Sequence, residues 1–293
     1  MTTPSALQEH NSFATPSTSW TLSGFGDEIS PDPHAQIAVL EGLGARHIEV
    51  RSAWDTNVVD LDEDQLSTLA AIVKTAQFSV SAIASPIGKV DVTLDPDLEV
   101  QRLRRIIRVA KALDTTNIRI FSFYPAPGSS MESVRDEVLL RMRRLADVAE
   151  QAGVVLLHEN EKGIYGDIPE RILDIVESVG SANLRLAWDS ANFVQVGVRP
   201  FDDGYTKLRP YVDYLQVKDA LSSTSVVVPA GEGDGQLRET LAALASDGYD
   251  GYASLEPHLS STHSLGGFSG PYSFGLAARA FRGLTDELGI ELR

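Results

Sequence analysis

A chain of 293 residues can hold one large domain or two small ones, and its 43% hydrophobic content supplies a sizeable core. The formal charge of −16 argues against a nucleic-acid partner, which needs clustered Lys and Arg, and the absence of cysteine excludes disulfides and thiolate metal sites. No apolar run approaches the ~20 residues that spanning a bilayer takes, so a cytoplasmic protein handling neutral or weakly charged small molecules is expected.

In chain order, residues 1–19 are rich in Ser, Thr and Pro and lack an apolar stretch. They read as a flexible N-terminal tail, neither signal peptide nor strand. From Trp20 onward short β-like runs alternate with helical patterns. Strands are expected at 21–26, 46–51, 78–84, 117–123, 153–159, 184–189, 212–217 and 251–256. Between them lie segments of 3.6-residue period, such as Leu98 to Leu113 and Met131 to Ala152. Ser30-Pro31 and Asp167-Ile168-Pro169 carry helix-start chemistry, and Gly153 reads as a helix stop. No linker interrupts the alternation, so residues 20–293 are expected to form one α/β domain, a (β/α)8 TIM barrel with a parallel sheet. A doubly wound open sheet is the structural alternative. It calls for a Gly-rich phosphate loop after the first strand, and Gly24-Phe25-Gly26-Asp27-Glu28 lacks the remaining glycine and is acidic.

Four polar residues close the last four strand patterns: Glu159, Asp189, Gln216 and Glu256, spaced 30, 27 and 40 positions apart. In a (β/α)8 barrel such positions converge on one mouth. Three carboxylates and an amide oxygen there would form a hard, oxygen-only site suited to one divalent cation, Mn²⁺ first, with Mg²⁺ or Co²⁺ as alternatives. Taken singly, each could equally cap a helix or pair with Lys. Their conjunction points to a metal.

The neighbouring residues suggest what that cation would serve. Glu161, two positions past Glu159, points to the same side of a continued strand and is placed to act as a general base; a rim carboxylate paired with Lys is the alternative. His158 alternates outward, as a packing residue or a support for the ligands. Lys218 alternates inward and can stabilise an oxyanion, while Asp219 reads as a helix cap or a support. Asp27, Glu28, Arg51, Lys89, Trp188 and His258 are candidate substrate contacts. Carboxylates beside aromatics suit a polyhydroxylated ring, although Trp188 could equally be core filler. Gly231-Glu232-Gly233-Asp234-Gly235 is too acidic for a phosphate cradle and reads as a tight turn. The Ser/Gly-rich stretch Leu259–Pro271 suits a lid or partner-binding element, ordered by His258 and His263 or taking a proton donor from one of them.

Glu159-Asn160-Glu161, Trp188-Asp189 with Asn192, Gln216-Val217-Lys218-Asp219 and Glu256-Pro257-His258 resemble the strand-end motifs of the xylose-isomerase-like superfamily of sugar isomerases and epimerases, over about residues 22–288. That resemblance implies one divalent metal on Glu159, Asp189, Gln216 and Glu256, stabilising an enediolate formed by proton abstraction beside a carbonyl. Gln216 stands where His is commoner. Within the superfamily, Phe25–Ser30, Leu157–Asp167 and Gly266–Pro271 look most like the catalytic α-subunits of bacterial C-glycoside deglycosidases, with Glu161 where a catalytic His is expected. This closer resemblance implies cleavage of the C–C bond between a 3-oxo sugar and an aromatic aglycone, with a small β-subunit as partner in a hetero-oligomer. A sugar isomerase or epimerase, and a non-catalytic sugar-binding subunit, are the two other readings.

Overall fold

The computed structural model describes residues 18–260 and 267–293. Strands β1 (Thr18–Gly24), β2 (His47–Val50), β3 (Ser79–Ala84), β4 (Asn117–Ile120), β5 (Val155–Glu159), β6 (Leu184–Asp189), β7 (Val212–Val217) and β8 (Tyr252–Leu255) pair in parallel. A parallel bridge from Phe25 to Glu49 brings β2 beside β1 and closes the barrel. Every strand expected from the sequence is present, with ends shifted by a few residues.

The connecting helices are α1 (Pro33–Gly42), α2 (Glu63–Thr75), α3 (Pro96–Ala112), α4 (Met131–Ala152), α5 (Pro169–Val179), the short α6 (Ser190–Val194), α7 (Leu237–Ser246) and α8 (Gly270–Glu287). Their sequences explain their limits. Helix α3 buries Val100, Leu103, Ile106, Ile107 and Ala110, the stripe expected of an amphipathic helix against a sheet. Helix α4 ends at Gly153, whose φ of 70° is the left-handed conformation that glycine adopts without a Cβ penalty. Helix α2 opens on a capping box formed by Asp62 and Gln65.

Two helix starts differ from expectation. Asp32, not Ser30, caps α1, because the next proline, Pro33, takes the first helical position. Helix α5 has no side-chain cap, since Asp167 instead accepts from Arg171 at 2.6 Å.

A ninth strand, β9 (Ile290–Leu292), pairs in parallel with the outer half of β1, matching Thr18 to Ile290 and Trp20 to Leu292. Thr18 and Ser19, assigned to the tail by composition, are therefore part of the sheet. The rest of that tail lies outside the described residues, as does His263.

One large apolar core lies between the barrel and its helices. The barrel interior is closed at one level by Ala82, Leu157, Ala187 and Tyr214. Hydroxyls cross it: Ser23 Oγ lies 2.7 Å from Ser81 Oγ, and Tyr214 Oη donates to Glu49 at 2.8 Å. Leu157, Ala187 and Tyr214 face inward, so the alternation of a strand sends Glu159, Asp189 and Gln216 inward as well, one pleat nearer the mouth.

Candidate active site

Carboxylate oxygens of Glu159, Asp189 and Glu256 lie within 4.8 Å of one another, and all three residues are buried. Local hydrogen bonds weld the first two together. Asn160 donates to the Asp189 carbonyl at 2.8 Å and accepts from the Asp189 N–H at 2.9 Å, so its amide extends the β5–β6 ladder past the strand end. Asn192 donates from its N–H to Asp189 Oδ1 at 2.9 Å and from Nδ2 to Glu159 Oε1 at 3.2 Å. Asp189 is thus both a helix cap and a member of the cluster: one oxygen holds α6, and the other lies 2.7 Å from Lys218 Nζ.

Gln216 is fully buried beside this cluster, level with Asp189 in the β6–β7 register. Its Nε2 donates to Glu49 at 3.2 Å, and its Oε1 has no hydrogen-bond partner. A buried acceptor left unmatched costs free energy unless something fills the role, and a cation does so. Glu49, which the sequence marks only as a strand end, therefore decides which way the Gln216 amide faces.

Cations balance the carboxylates. Lys218 Nζ donates to Glu256 at 3.0 Å as well as pairing with Asp189; although burial opposes the charge, Asp189 and Glu256 hold the ammonium well above its ordinary affinity for a proton. Arg51 donates to Asp27 at 2.7 Å, to Glu256 at 3.0 Å and to the Gly267 carbonyl at 2.9 Å. Arg119 Nε lies 3.3 Å from Glu159. Burial nonetheless pushes Glu159 up to about 8, against Arg119. For Glu256 burial is outweighed by Lys218, His258 and Arg51, which keep it ionised far below the usual carboxylate range.

These residues enclose a cavity of about 90 Å³ lined by Arg51, Lys89, Arg119, Glu159, Glu161, Lys218, Glu256 and His258, with Phe121, Asn57 and Ser85 between them. Five expected site residues therefore line the cavity besides the expected ligands Glu159 and Glu256: Arg51, Lys89, Glu161, Lys218 and His258.

Others fall elsewhere. Trp188 points outward from β6, packing edge-on against Phe193 and Tyr205, with its indole N–H on Ser190 Oγ at 3.0 Å; it is core, not a substrate contact. His158 also faces outward and is fully buried, and neither ring nitrogen has a hydrogen-bond partner. It is not a catalytic residue of the mouth, and burial pushes its pKa down to about 3, so it is neutral.

Asp27 and Glu28 do not reach the cavity. Asp27 holds Arg51, and Glu28 accepts from the His258 N–H at 3.0 Å and from Ser269 Oγ at 2.7 Å. His258 Nε2 lies 3.0 Å from Glu28 and 3.3 Å from Glu256, and these carboxylates raise its pKa to about 9 despite burial. Asp219 supports the glycine turn rather than a helix, accepting from the N–H groups of Ala220, Gly231, Gly233 and Gly235 at 2.9–3.1 Å.

Sequence reasoning missed Arg119 and Phe121. Strand alternation from Asn117 sends both inward, so the signal was present in β4. It had no weight without the knowledge that Glu159 would stand beside Arg119.

An oxygen-only carboxylate cluster at the strand-end mouth of a (β/α)8 barrel, ringed by Lys and Arg, defines a class of barrel built to bind a hard divalent cation beside a small polar molecule. The chain belongs to the xylose isomerase-like TIM barrel family, whose model matches residues 37–271. It is 29% identical over 220 residues to a 2-epi-5-epi-valiolone 7-phosphate 2-epimerase from Actinoplanes sp., covering 74% of this chain and 78% of that one. Among solved structures it resembles a D-tagatose 3-epimerase-like protein, with a TM-score of 0.75 and 17% identity over 92% of this chain and 98% of the other. A xylose isomerase-like TIM barrel protein from Mycobacterium smegmatis in complex with magnesium matches with a TM-score of 0.67 and 18% identity, over 92% and 96% of the two chains. Among the described residues no helix is long and apolar enough to cross a membrane.

Proposed function

We propose that the protein is a metal-dependent epimerase or isomerase of a small polyhydroxylated ketone, a keto-sugar or keto-cyclitol. The observation that carries this reading is the meeting of Glu159, Asp189 and Glu256 within 4.8 Å, beside a cavity whose lining includes Glu159, Glu256 and the cations Arg51, Lys89, Arg119, Lys218 and His258. With the free Oε1 of Gln216, these residues would hold the ion, and Mn²⁺ suits the oxygen-only set. Such an ion polarises a carbonyl as a Lewis acid and so makes the adjacent C–H acidic.

The chain's own residues do the rest. Lys218 and Arg119 place positive charge at the cavity wall, where an oxygen gathers negative charge as the neighbouring carbon loses its proton. Glu256, kept ionised by Lys218, His258 and Arg51, serves as the base. Glu159 faces the same cavity, and two carboxylates that both face the reacting carbon can take a proton from it and return one. Glu161 lines the same cavity, paired with Lys89 Nζ at 2.8 Å and accepting from the Lys162 N–H at 2.9 Å, and we assign it to substrate binding.

Cleavage of a 3-oxo C-glycoside would begin with the same proton abstraction. An aryl aglycone also needs an apolar face to pack on, and among the described residues the one Phe, Tyr or Trp lining the cavity, Phe121, is covered by Lys89 at 4.2 Å and Arg119 at 4.4 Å. That arrangement, together with the epimerase among the relatives, favours the simpler reaction.

The test is exchange of the α-proton with D₂O, followed by NMR, across a panel of ketoses and keto-cyclitols with Mn²⁺ and after EDTA. Metal-dependent exchange that falls by about 10²–10⁴-fold in Glu256→Gln is expected. Exchange undiminished by that substitution would remove Glu256 as the base. Release of an aromatic aglycone from a 3-oxo C-aryl glucoside, without epimerisation of any ketone, would overturn the epimerase in favour of the lyase.

A further inference from the structure

The cavity wall also carries a second charge device, formed by Lys89 and Glu161. Of the cations around the cavity, Arg51, Arg119 and Lys218 are buried and tied to the cluster, and His258 is held between Glu28 and Glu256. Lys89 differs: its side chain is 36% exposed, and its carboxylate partner is Glu161, at 2.8 Å.

Lys89 is held in place by its backbone. Gly88 has a φ of 82°, and a Cβ there would stand 2.2 Å from the Phe121 carbonyl oxygen, so only glycine lets the loop lie so close to β4. The Gly88 N–H donates to the buried Glu99 at 2.7 Å, and the Lys89 ammonium stands over the Phe121 ring. Glu161 is fixed from the other side by the Lys162 N–H.

Resting on the reading of the site as one for a polyhydroxylated ketone, we propose that Glu161 sets the charge class of the substrate. By neutralising Lys89, the most exposed of the described cations lining the cavity, it makes this an acceptor of unphosphorylated keto-sugars or keto-cyclitols and turns phosphate esters away. A phosphate needs an uncommitted cation, and here it would meet a carboxylate already occupying that cation. A neutral polyol loses nothing, since Glu161 accepts hydroxyl protons while Lys89 donates to hydroxyl oxygens. In this the chain departs from the Actinoplanes epimerase, whose name specifies a 7-phosphate.

The experiment is calorimetric titration of the full, Mn²⁺-loaded protein with inorganic phosphate, for wild type, Glu161→Gln and the double variant Glu161→Gln/Lys89→Gln. Glu161→Gln is nearly isosteric and removes only charge. It should tighten phosphate binding by about tenfold or more, and loss of Lys89 should reverse the gain. Equal phosphate affinity in wild type and Glu161→Gln overturns the proposal, as does a gain that survives loss of Lys89. Phosphate binding is read without turnover, so an absence of D₂O exchange with every ketone would count against the epimerase reading alone. Where exchange is seen, the ratio of kcat/KM for a ketose over its phosphate ester should fall in Glu161→Gln; a ratio that stays constant overturns the proposal.

Discussion

Gln216 shows how a single residue's role depends on its underside. Its amide could present either end to the cluster, and only the oxygen can serve a cation. Glu49, buried beneath it and raised to about 7 by desolvation, accepts from Nε2 and so turns Oε1 toward the carboxylates. Residues that orient a metal ligand are typically worth ten- to a hundredfold in affinity. Glu49→Leu should therefore weaken Mn²⁺ binding by about 10–100-fold, measured by competition with a chromophoric chelator, although Glu49 itself touches no ion. Unchanged affinity would mean that Gln216 is not a ligand. The sequence marked Gln216 through its place at a strand end, whereas nothing local to Glu49 distinguishes it from any other inward carboxylate.

At the scale of elements, strand ends and loops divide the work. Strand ends carry the cluster, and the loops that follow fix it: Asn160 after β5, the Asp189 cap of α6 after β6, and the Asp219 turn after β7. The glycines of Gly231–Gly235 do make a cradle of N–H groups, but the anion in it is Asp219 of the same chain. A Cβ at Gly233 or Gly235 would stand 2.4 or 2.6 Å from Asp219 Oδ1, which is why glycine recurs there. Asp219→Ala strips an acceptor from four N–H groups and should cost about 2–4 kcal/mol in urea unfolding, more than a typical surface substitution. A loss below about 0.5 kcal/mol would show that water replaces the carboxylate. The acidic composition of this segment argues against phosphate, and Asp219 accepts from its N–H groups. That the turn's donors serve Asp219, 12 to 16 positions earlier, is a matter of how the chain folds back.

For the whole molecule the barrel is held by an apolar core outside the strands, and His158 is an ionisable group buried on that outer side of β5. Its folded pKa of about 3 lies below the ordinary 6.5, so the unfolded chain binds a proton that the native state refuses. Stability from this group is therefore fully present above pH 6.5 and is lost as pH falls from 6.5 toward 3, on the order of 5 kcal/mol over the window. Thermal melts between pH 7 and 4 should show a steeper fall in Tm for wild type than for His158→Leu. Parallel curves would mean that His158 is hydrated or paired in solution.

The sequence by itself determined the barrel. Strand and helix periods are local properties, and eight repeats of them leave few ways to bury the apolar faces. It also singled out Glu159, Asp189, Gln216 and Glu256 by their place at strand ends, which is readable from a run of a few residues, and the structure brings the three carboxylates together. Only the tertiary structure decided what each neighbour of that set does. Trp188 and His158 sit next to Asp189 and Glu159 in the chain and face away from them, while Arg51, Arg119 and Glu49 lie far off in sequence and meet Glu256, Glu159 and Gln216 through the closure of the barrel. β9 belongs to the same group, since three residues of alternation mean little until Trp20 and its neighbours offer an open edge. Side-chain alternation separates sequence neighbours to opposite faces of a wall, and barrel closure brings distant strands together; both effects act through space, at ranges that no short window of sequence spans.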